Sequence, residues 1–512
     1  MLNYGISGWR TNMFTTRWVI LMVTISVIIF PATSVKSQDW FPADTTIQAT
    51  VEELVHNGRA EGVVVGLLDA DGSRTVIAYG NPGPDAVPLD GESIFEIGSI
   101  TKVFTASLLA DMVRRGEVKL SEPVAELLPS EVIVPVRNGK KITLLDITTH
   151  HSGLPRMPTN FTPQNLQNPY VDYTVQQMYD FISGYELSRD PGEKYEYSNY
   201  ATGLLGHALS LRADTTYEAL LIDRVIRPLG MKHTAISLTP WMEEHLVHGY
   251  DAFGDPVANW DIIALAGAGA LRSNVNDMLI FAEANLAAKP EDEGLSGALH
   301  DALHPRRQIR EREGQPADSI GFNWIISQKG KRVITWHNGG TGGYTTFLGL
   351  DREANRAVVV LTNSGGAGLD DLGFHLLDPT IPLNKPSIGR VVASTYRRDG
   401  IKSAVDQYRA LWETDRDGFR FDENQLNFFG YWLLEHDSIN DAIEIFSLNV
   451  ESYPEAANPY DSLGDALMAA NRFEEAKARF EMAVKLAEEA EDPHLTGYRA
   501  NLEKAVKQMS QE

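Results

Sequence analysis

The stretch GSITKVFTASLLADMVRRG (98–116) decides how the rest of the chain is interpreted. It opens with an S-x-x-K motif, Ser99 to Lys102, which occurs only here, and continues with the apolar spacing of a helix. Residues three apart share a helix face, so the Lys102 amine can reach the Ser99 hydroxyl. A serine near neutral pH needs such a proton acceptor, and a helix N-terminus favours a developing oxyanion. The stretch predicts a nucleophilic serine at the start of a helix.

A second element follows at YSN (197–199), a Y-x-N motif. A phenol beside a lysine can be held partly ionised, and a tyrosinate is a competent general base, so Tyr197 is a candidate base. Asn199 can both donate and accept, which suits a bridge between the lysine and a substrate amide. An earlier copy of the motif, residues 79–81, precedes the serine and is interpreted as structural.

The third element is HNGG (337–340), which ends the strand-like run RVITW and leads into the turn TGGY. A glycine at a strand edge lets a ligand approach the backbone closely, so a substrate can pair with this strand. One N–H of the strand and the N–H of Ser99 are expected to form an oxyanion hole.

These elements, S-x-x-K, Y-x-N and H-x-G in that order, resemble those of class C β-lactamases, D-alanyl-D-alanine carboxypeptidases and related esterases, the low-molecular-weight penicillin-binding proteins. The resemblance covers about residues 45–370. Four further segments support it: LLDITTHHSGLP (144–155), PGEKYEYSNYATGLLG (191–206), RPLGMKHT (227–234) and GAGALRSNVNDM (267–278).

The resemblance implies a role for each matching residue. Ser99 would be the nucleophile, Lys102 its proton partner, and Tyr197 the base in acylation and deacylation. The backbone N–H groups of Ser99 and Gly340 would form the oxyanion hole. The expected reaction is therefore acylation of Ser99 followed by hydrolysis.

The resemblance also implies a substrate pocket lined by Asn199, His337 and Gly339. Dedicated class C β-lactamases carry K-T-G at the third element, and this chain contains no such motif. His337 is expected to be largely neutral near pH 7, which weakens attraction for a substrate carboxylate. Efficient β-lactam hydrolysis is therefore not expected at neutral pH, and protonation of His337 below about pH 6.5 is expected to improve binding of anionic substrates.

The order of strand-like and helical segments predicts an α+β fold. Residues 63–80 read as two β-branched runs joined near Asp71-Gly72, a hairpin signal, and strand character returns between residues 323 and 362. Helical patterns dominate residues 95–300. We therefore expect a β-lactamase/transpeptidase-like antiparallel sheet with flanking helices and a helical insertion, forming a hydrolase domain over residues 39–377.

A separate helical domain is predicted beyond the proline-rich linker 378–389. Residues 390–512 are acidic and contain a 34-residue period, which resembles tetratricopeptide repeats. The recurring residues are Gly430, Leu433, Ala442 and Phe446, which return as Gly464, Leu467, Ala476 and Phe480. This repeat domain is expected to bind a protein partner.

The amino terminus predicts a signal peptide over residues 1–37. Arg10 and Arg17 precede the apolar run 18–30, and small residues follow. The run is shorter than the roughly 20 residues of a membrane-spanning helix. The mature protein is expected to be secreted or periplasmic, with an uncleaved membrane anchor as the alternative.

Composition limits the ligands. A net charge of −24 argues against nucleic acid, which needs clustered Lys and Arg. The chain has no cysteine, which excludes a thiol nucleophile and a Cys-based zinc site. The pair His150-His151 is interpreted as holding a turn through hydrogen bonds. No metal and no cofactor are expected.

Three classes of function remain open. The leading one is an enzyme that cleaves a small-molecule or peptide substrate, with peptide, ester, β-lactam and D-amino-acid amide bonds as alternatives. The second is a penicillin receptor that acylates but turns over slowly, which an intact Tyr197 disfavours. The third is a scaffold that acts through the repeat domain.

Overall fold

A computed structural model of the protein describes residues 41–312 and 315–510. The predicted signal peptide, residues 1–37, lies outside these ranges. Within them, no helix is both long and apolar enough to cross a membrane.

One antiparallel sheet of eight strands forms the centre of the hydrolase region, in the order β2-β1-β8-β7-β6-β5-β4-β3. The strands are β1 (Gly62–Leu68), β2 (Arg74–Gly80), β3 (Arg307–Arg312), β4 (Gln315–Ile320), β5 (Ile325–Lys329), β6 (Arg332–Gly340), β7 (Thr345–Asp351) and β8 (Arg356–Thr362). The hairpin predicted near Asp71-Gly72 joins β1 to β2, and β1 pairs with β8 from the far end of the domain. The α+β prediction is confirmed.

Both faces of the sheet are covered, because every residue of β1 and β8 is buried. On one face, Ile47 of α1 (Asp44–His56) packs with Phe347 and Val358 of the sheet. On the other face, Gly66 of β1 leaves room for Val275 and Leu279 of α9 (Val275–Ala287), and the helical insertion lies beyond.

The helices of the hydrolase region surround the sheet and build the insertion between β2 and β3. Their bounds are α1 (Asp44–His56), α2 (Thr101–Arg114), α3 (Leu144–Thr148), α4 (Val175–Gly184), α5 (Asn199–Arg212), α6 (Tyr217–Leu221), α7 (Arg227–Leu229), α8 (Pro240–Glu244), α9 (Val275–Ala287), α10 (Gly294–Leu303) and α11 (Asp370–Leu377).

The chain beyond the predicted linker is all helical. Its helices are α12 (Ile388–Asp399), α13 (Ile401–Thr414), α14 (Glu423–Glu435), α15 (Ile439–Ser452), α16 (Ala457–Ala469), α17 (Phe473–Glu489) and α18 (Leu495–Met509). The 34-residue repeat in the sequence is accompanied by a repeated contact between a glycine and a phenylalanine ring. A β-carbon on Gly430 would lie 2.5 Å from the Phe446 ring, and one on Gly464 would lie 2.5 Å from the Phe480 ring. The resemblance to tetratricopeptide repeats and the division into domains stay predictions.

The helical tail packs against the loop at residues 251–255 of the hydrolase region. The Trp432 indole N–H donates to Asp251 at 2.8 Å, and the Phe253 and Phe429 rings lie 5.5 Å apart. The Arg397 guanidinium donates to the Gly254 carbonyl at 2.7 Å. Apolar and polar contacts together therefore hold this face of the tail.

Candidate active site

Ser99 lies in a short 3₁₀ turn, Gly98–Ile100, that runs directly into α2. Gly98 has φ +49°, and a β-carbon there would lie 2.7 Å from the backbone nitrogen of Gly340. Only glycine therefore lets the turn lie against the end of β6. Ser99 is partly exposed, whereas its neighbours are buried. The serine is at a helix start, as the sequence predicts.

Lys102 contacts Ser99 as the helical spacing requires. Its Nζ donates to Ser99 Oγ at 2.9 Å and to the Ala268 carbonyl at 2.6 Å. The side chain is fully buried. Burial, helped by the positive charge of Arg156, holds the pKa of Lys102 well below its usual range. Burial thus favours the uncharged form of the amine, which is the form that can accept the serine proton.

Tyr197 faces the same pair, with its ring centroid 5.0 Å from Lys102 Nζ. Burial raises the pKa of Tyr197 above its ordinary value, and a hydrogen bond with the Ser99 side chain opposes this only in part. The expectation of a partly ionised phenol was wrong, because loss of hydration outweighs the nearby amine, which is itself depressed toward neutrality. Tyr197 is a neutral phenol in contact with the serine.

His150 positions Tyr197. Its backbone is left-handed, with φ +56°, and its carbonyl accepts the Glu196 N–H at 2.7 Å. Its Nδ1 accepts the Ser198 N–H at 3.2 Å, and its ring lies 4.5 Å from the Tyr197 ring. The turn role predicted for His150-His151 agrees with these contacts, and the turn they hold carries Tyr197.

Asn199 is the first residue of α5, and Ser198 caps that helix. Ser198 Oγ accepts the Ala201 N–H at 2.9 Å and donates to the Pro155 carbonyl at 2.6 Å. Asn199 Nδ2 contacts the Met157 sulfur at 3.6 Å, while its buried Oδ1 has no hydrogen-bond partner among the described residues.

His337 lies near the end of β6 and is buried, with 1% of its surface exposed. Its ring centroid is 6.1 Å from that of Tyr197. Burial lowers the pKa of His337 to about 3. The expected protonation near pH 6.5 was therefore wrong, because burial of the imidazole depends on tertiary packing that cannot be inferred from the local sequence.

Two glycines follow His337 and differ in exposure. Gly339 is buried against the Ile97 carbonyl, which also accepts a hydrogen bond from Thr346 at 2.9 Å. Gly340 is exposed at the strand end beside Gly98. The structure thus places Gly339 in the packing between strand and turn, and Gly340 next to the nucleophile.

Arg156 is a residue of this site that the sequence analysis missed. Its guanidinium carbon lies 5.1 Å from the Tyr197 ring centroid, and its carbonyl accepts the N–H of Asn199 at 3.0 Å. The side chain is exposed and forms no ion pair with the residues that the structure describes. A single arginine in a loop belongs to no recognisable spacing pattern. Only its position directly after SGLP (152–155) could have identified it as a residue of the site.

Comparison with known proteins identifies the family of the hydrolase region. Residues 47–377 match the family described as Beta-lactamase, and the chain belongs to that family. It is 27% identical over 359 residues to the D-alanyl-D-alanine-carboxypeptidase/endopeptidase AmpH of Escherichia coli K12, covering 68% of this chain and 91% of the relative. It is 28% identical over 346 residues to a beta-lactamase of Pseudomonas fluorescens, covering 62% and 92%.

Solved structures show the same fold. A beta-lactamase/D-alanine carboxypeptidase from Yersinia pestis, complexed with citrate, superposes with a TM-score of 0.55 at 25% identity, over 69% of this chain and 99% of that one. A class C beta lactamase from Rhodobacter sphaeroides superposes with a TM-score of 0.56 at 22% identity, over 66% and 100%. The β-lactamase-like fold of the hydrolase region is thereby confirmed.

Proposed function

We propose that the protein hydrolyses its substrate through an acyl-enzyme on Ser99. The observation that carries the proposal is the 2.9 Å contact between Ser99 Oγ and Lys102 Nζ, an amine whose pKa is held well below its usual range by burial. An uncharged amine next to a serine is an activated nucleophile pair.

In acylation, Lys102 accepts the Ser99 proton as Oγ attacks the substrate carbonyl. The N–H groups of Ser99 and Gly340 stabilise the oxyanion. Tyr197, a neutral phenol touching Ser99, donates its proton to the leaving group and regains one from Lys102. In deacylation the same groups remove a proton from water and return the proton to Ser99.

The substrate proposed is a peptide, amide or ester rather than a β-lactam. The relative from E. coli is named a D-alanyl-D-alanine carboxypeptidase, and the third element here is H-x-G rather than K-T-G. Three substrates test this with the purified mature protein: a D-Ala-D-Ala peptide, a p-nitrophenyl ester and a chromogenic cephalosporin. Cephalosporin turnover above that of both other substrates would contradict the proposed preference.

Arg156 is proposed to bind a carboxylate of the substrate. It is the exposed, unpaired cation beside Tyr197 within the described chain, and His337 is neutral. Arg156→Gln is expected to lower kcat/KM for the D-Ala-D-Ala peptide by about 5- to 30-fold, the scale of one charge-assisted hydrogen bond near a surface. Hydrolysis of an uncharged ester should change less than about twofold, since no charge pair is lost.

The control for Arg156 is Arg416→Gln, which removes an exposed arginine that lies over Trp412 in the tail. Equal losses on the charged and uncharged substrates would mean that Arg156 holds the loop rather than the carboxylate.

The pH dependence of anionic substrates should contain no step from His337. With a pKa of about 3, its imidazole is uncharged at every pH where the protein is assayed. The ratio of kcat/KM between the native enzyme and His337→Gln is expected to stay constant from about pH 5 to pH 8. Activity of both should fall on acidification as Lys102 gains its proton. A rise of the native enzyme alone below pH 6.5 would show a charged His337.

Export is also proposed, from the signal-peptide pattern of residues 1–37. Amino-terminal sequencing of protein recovered from the periplasm or medium tests it. An intact amino terminus in the membrane fraction would favour the uncleaved anchor.

A further inference from the structure

A groove of about 1050 Å³ lies in the helical tail, between the first turns of α14 and α16 and the loop that enters α18. We call it the tail groove. Four carboxylate side chains line it, and neither Lys nor Arg does. The four are Glu423, Glu455, Asp461 and Asp492.

Asp492 Oδ1 contacts His494 Nδ1 of the groove lining at 2.9 Å, whereas Asp461 and Glu423 have no basic partner among the described residues. Asp461 is 8% exposed, and both of its oxygens accept from Asn501 Nδ2 at 3.1 Å. Burial raises the pKa of Asp461 to about 6. Burial also raises the pKa of Tyr498 to about 12, with Asp492, Asp461 and Glu423 all acting in the same direction. The field of the groove is therefore negative.

Asn427 gives a second, independent indication of a ligand. Its side chain lines the groove and is only 9% exposed. Its Oδ1 is buried and accepts no hydrogen bond from the described residues. Buried acceptors are nearly always satisfied in native proteins, and leaving one empty is unfavourable. Asn427 and Asp461 are 34 residues apart, at equivalent positions of the two periods. The period thus places two acceptors side by side.

We propose that the tail groove binds a primary ammonium group carried by a peptide. An ammonium offers three donors and no acceptor, which matches carboxylates beside an unsatisfied amide carbonyl. Within the described residues, no three acidic or histidine side chains converge as a metal site would require. The volume suits a short chain segment, and Ala457 and Leu486 provide apolar surface for an aliphatic stem.

This site is separate from the hydrolytic centre and does not depend on the proposed reaction. On α14, the residues that contact the hydrolase region are Phe429 and Trp432. Glu423 and Asn427, also on α14, line the groove instead. A peptide could therefore occupy the tail while Ser99 is free or acylated.

Fluorescence anisotropy of the full-length mature protein tests the proposal with four labelled octapeptides. The first alternates alanine and lysine with an acetylated amino terminus. The second has ε-acetyl-lysine and a free amino terminus, the third has both acetylations, and the fourth replaces lysine by glutamate. We expect the first or the second peptide to bind, and which of the two binds identifies the source of the ammonium. The third and fourth peptides should not bind.

Variants distinguish peptide binding in the tail groove from general attraction of a cationic peptide to the acidic chain. Asp461→Asn keeps a side chain of the same shape, and we expect it to lower the affinity for the peptide by about tenfold or more. Glu481→Gln is the matched control, because Glu481 is exposed on α17 and, among the described residues, pairs only with Lys477, at 3.7 Å. It removes the same charge and should leave affinity unchanged.

Asn427→Leu covers the case in which Asp461→Asn disturbs folding. Replacing an unsatisfied buried amide by an apolar group of similar size is neutral or stabilising, so the melting temperature should not fall. Peptide affinity should nevertheless drop several-fold. Unchanged affinity in Asn427→Leu, equal losses in Asp461→Asn and Glu481→Gln, or equal binding of the fully acetylated peptide would each overturn the proposal.

Discussion

Ser99→Ala is expected to abolish covalent labelling by a fluorescent penicillin or a fluorophosphonate and to lower hydrolysis by about 10⁴-fold or more, the usual scale for a lost nucleophile. The attacking atom is removed, and no other described hydroxyl contacts Lys102 Nζ. Labelling is read on a denaturing gel, and hydrolysis with the p-nitrophenyl ester.

The variant should remain folded, because Ser99 is partly exposed and Lys102 keeps its bond to the Ala268 carbonyl. Ser107→Ala is the matched control on the same helix, where the buried Ser107 hydroxyl donates only to the Val103 carbonyl at 2.8 Å. Ser107→Ala should label normally. Undiminished labelling of Ser99→Ala in a folded protein would remove Ser99 from the mechanism.

Much of the sheet could be predicted because its strands carry strong local signals. β1 and β8 are buried on both faces and therefore appear as continuous β-branched runs, and Asp71-Gly72 marks the hairpin turn. β3 and β4 were not predicted. The sequence of β3, RQIRER, is mostly charged, as suits the edge of a sheet, and it lacks the apolar alternation by which strands are recognised.

The contact between Ser99 and Lys102 could be predicted because the two residues are three apart at the start of a helix. The protonation states could not, because they depend on burial by segments far apart in the chain. Tyr197 is enclosed by His150 and His337, which come from the loop after α3 and from β6. Their packing removes water from the phenol and the imidazole together, which moves the pKa of Tyr197 up and that of His337 down.

The charge of the site could not be predicted from the sequence either, as Arg156 shows. The sequence predicts a site short of cations, since His337 stands where lactamase relatives have lysine. The fold supplies a guanidinium from the loop before α4, which no spacing rule connects to Tyr197. Charge at a site is a property of tertiary structure, so the expected weakness toward anionic substrates, which was argued from His337, took no account of Arg156.

Tyr197→Phe is expected to preserve binding of substrate but to slow turnover by about 10² to 10⁴, the usual range for a lost acid–base group. The ring would keep its packing against His150 and its place beside Lys102. Only the hydroxyl that contacts Ser99 is lost, so proton transfer to the leaving group and from water is impaired.

Tyr195→Phe is the control. Tyr195 lies two residues before Tyr197 in the chain and packs edge-on against His150 and His151. It should stay within about twofold of the native enzyme, as is usual for a change that leaves the reacting groups in place. Turnover of Tyr197→Phe within the same twofold range would reduce Tyr197 to a packing residue.

The partition between the two chemical steps carries further information. Lys102 remains in Tyr197→Phe, so Ser99 can still be activated and acylated. If water activation depends more on the phenol than serine activation does, the acyl-enzyme should accumulate, visible as a burst of product and as a mass increase of the intact protein. The variant would then acylate but turn over slowly, like the penicillin receptor that the sequence analysis kept as an alternative. In that case a single hydroxyl, that of Tyr197, would determine whether this fold acts as a hydrolase or as a receptor.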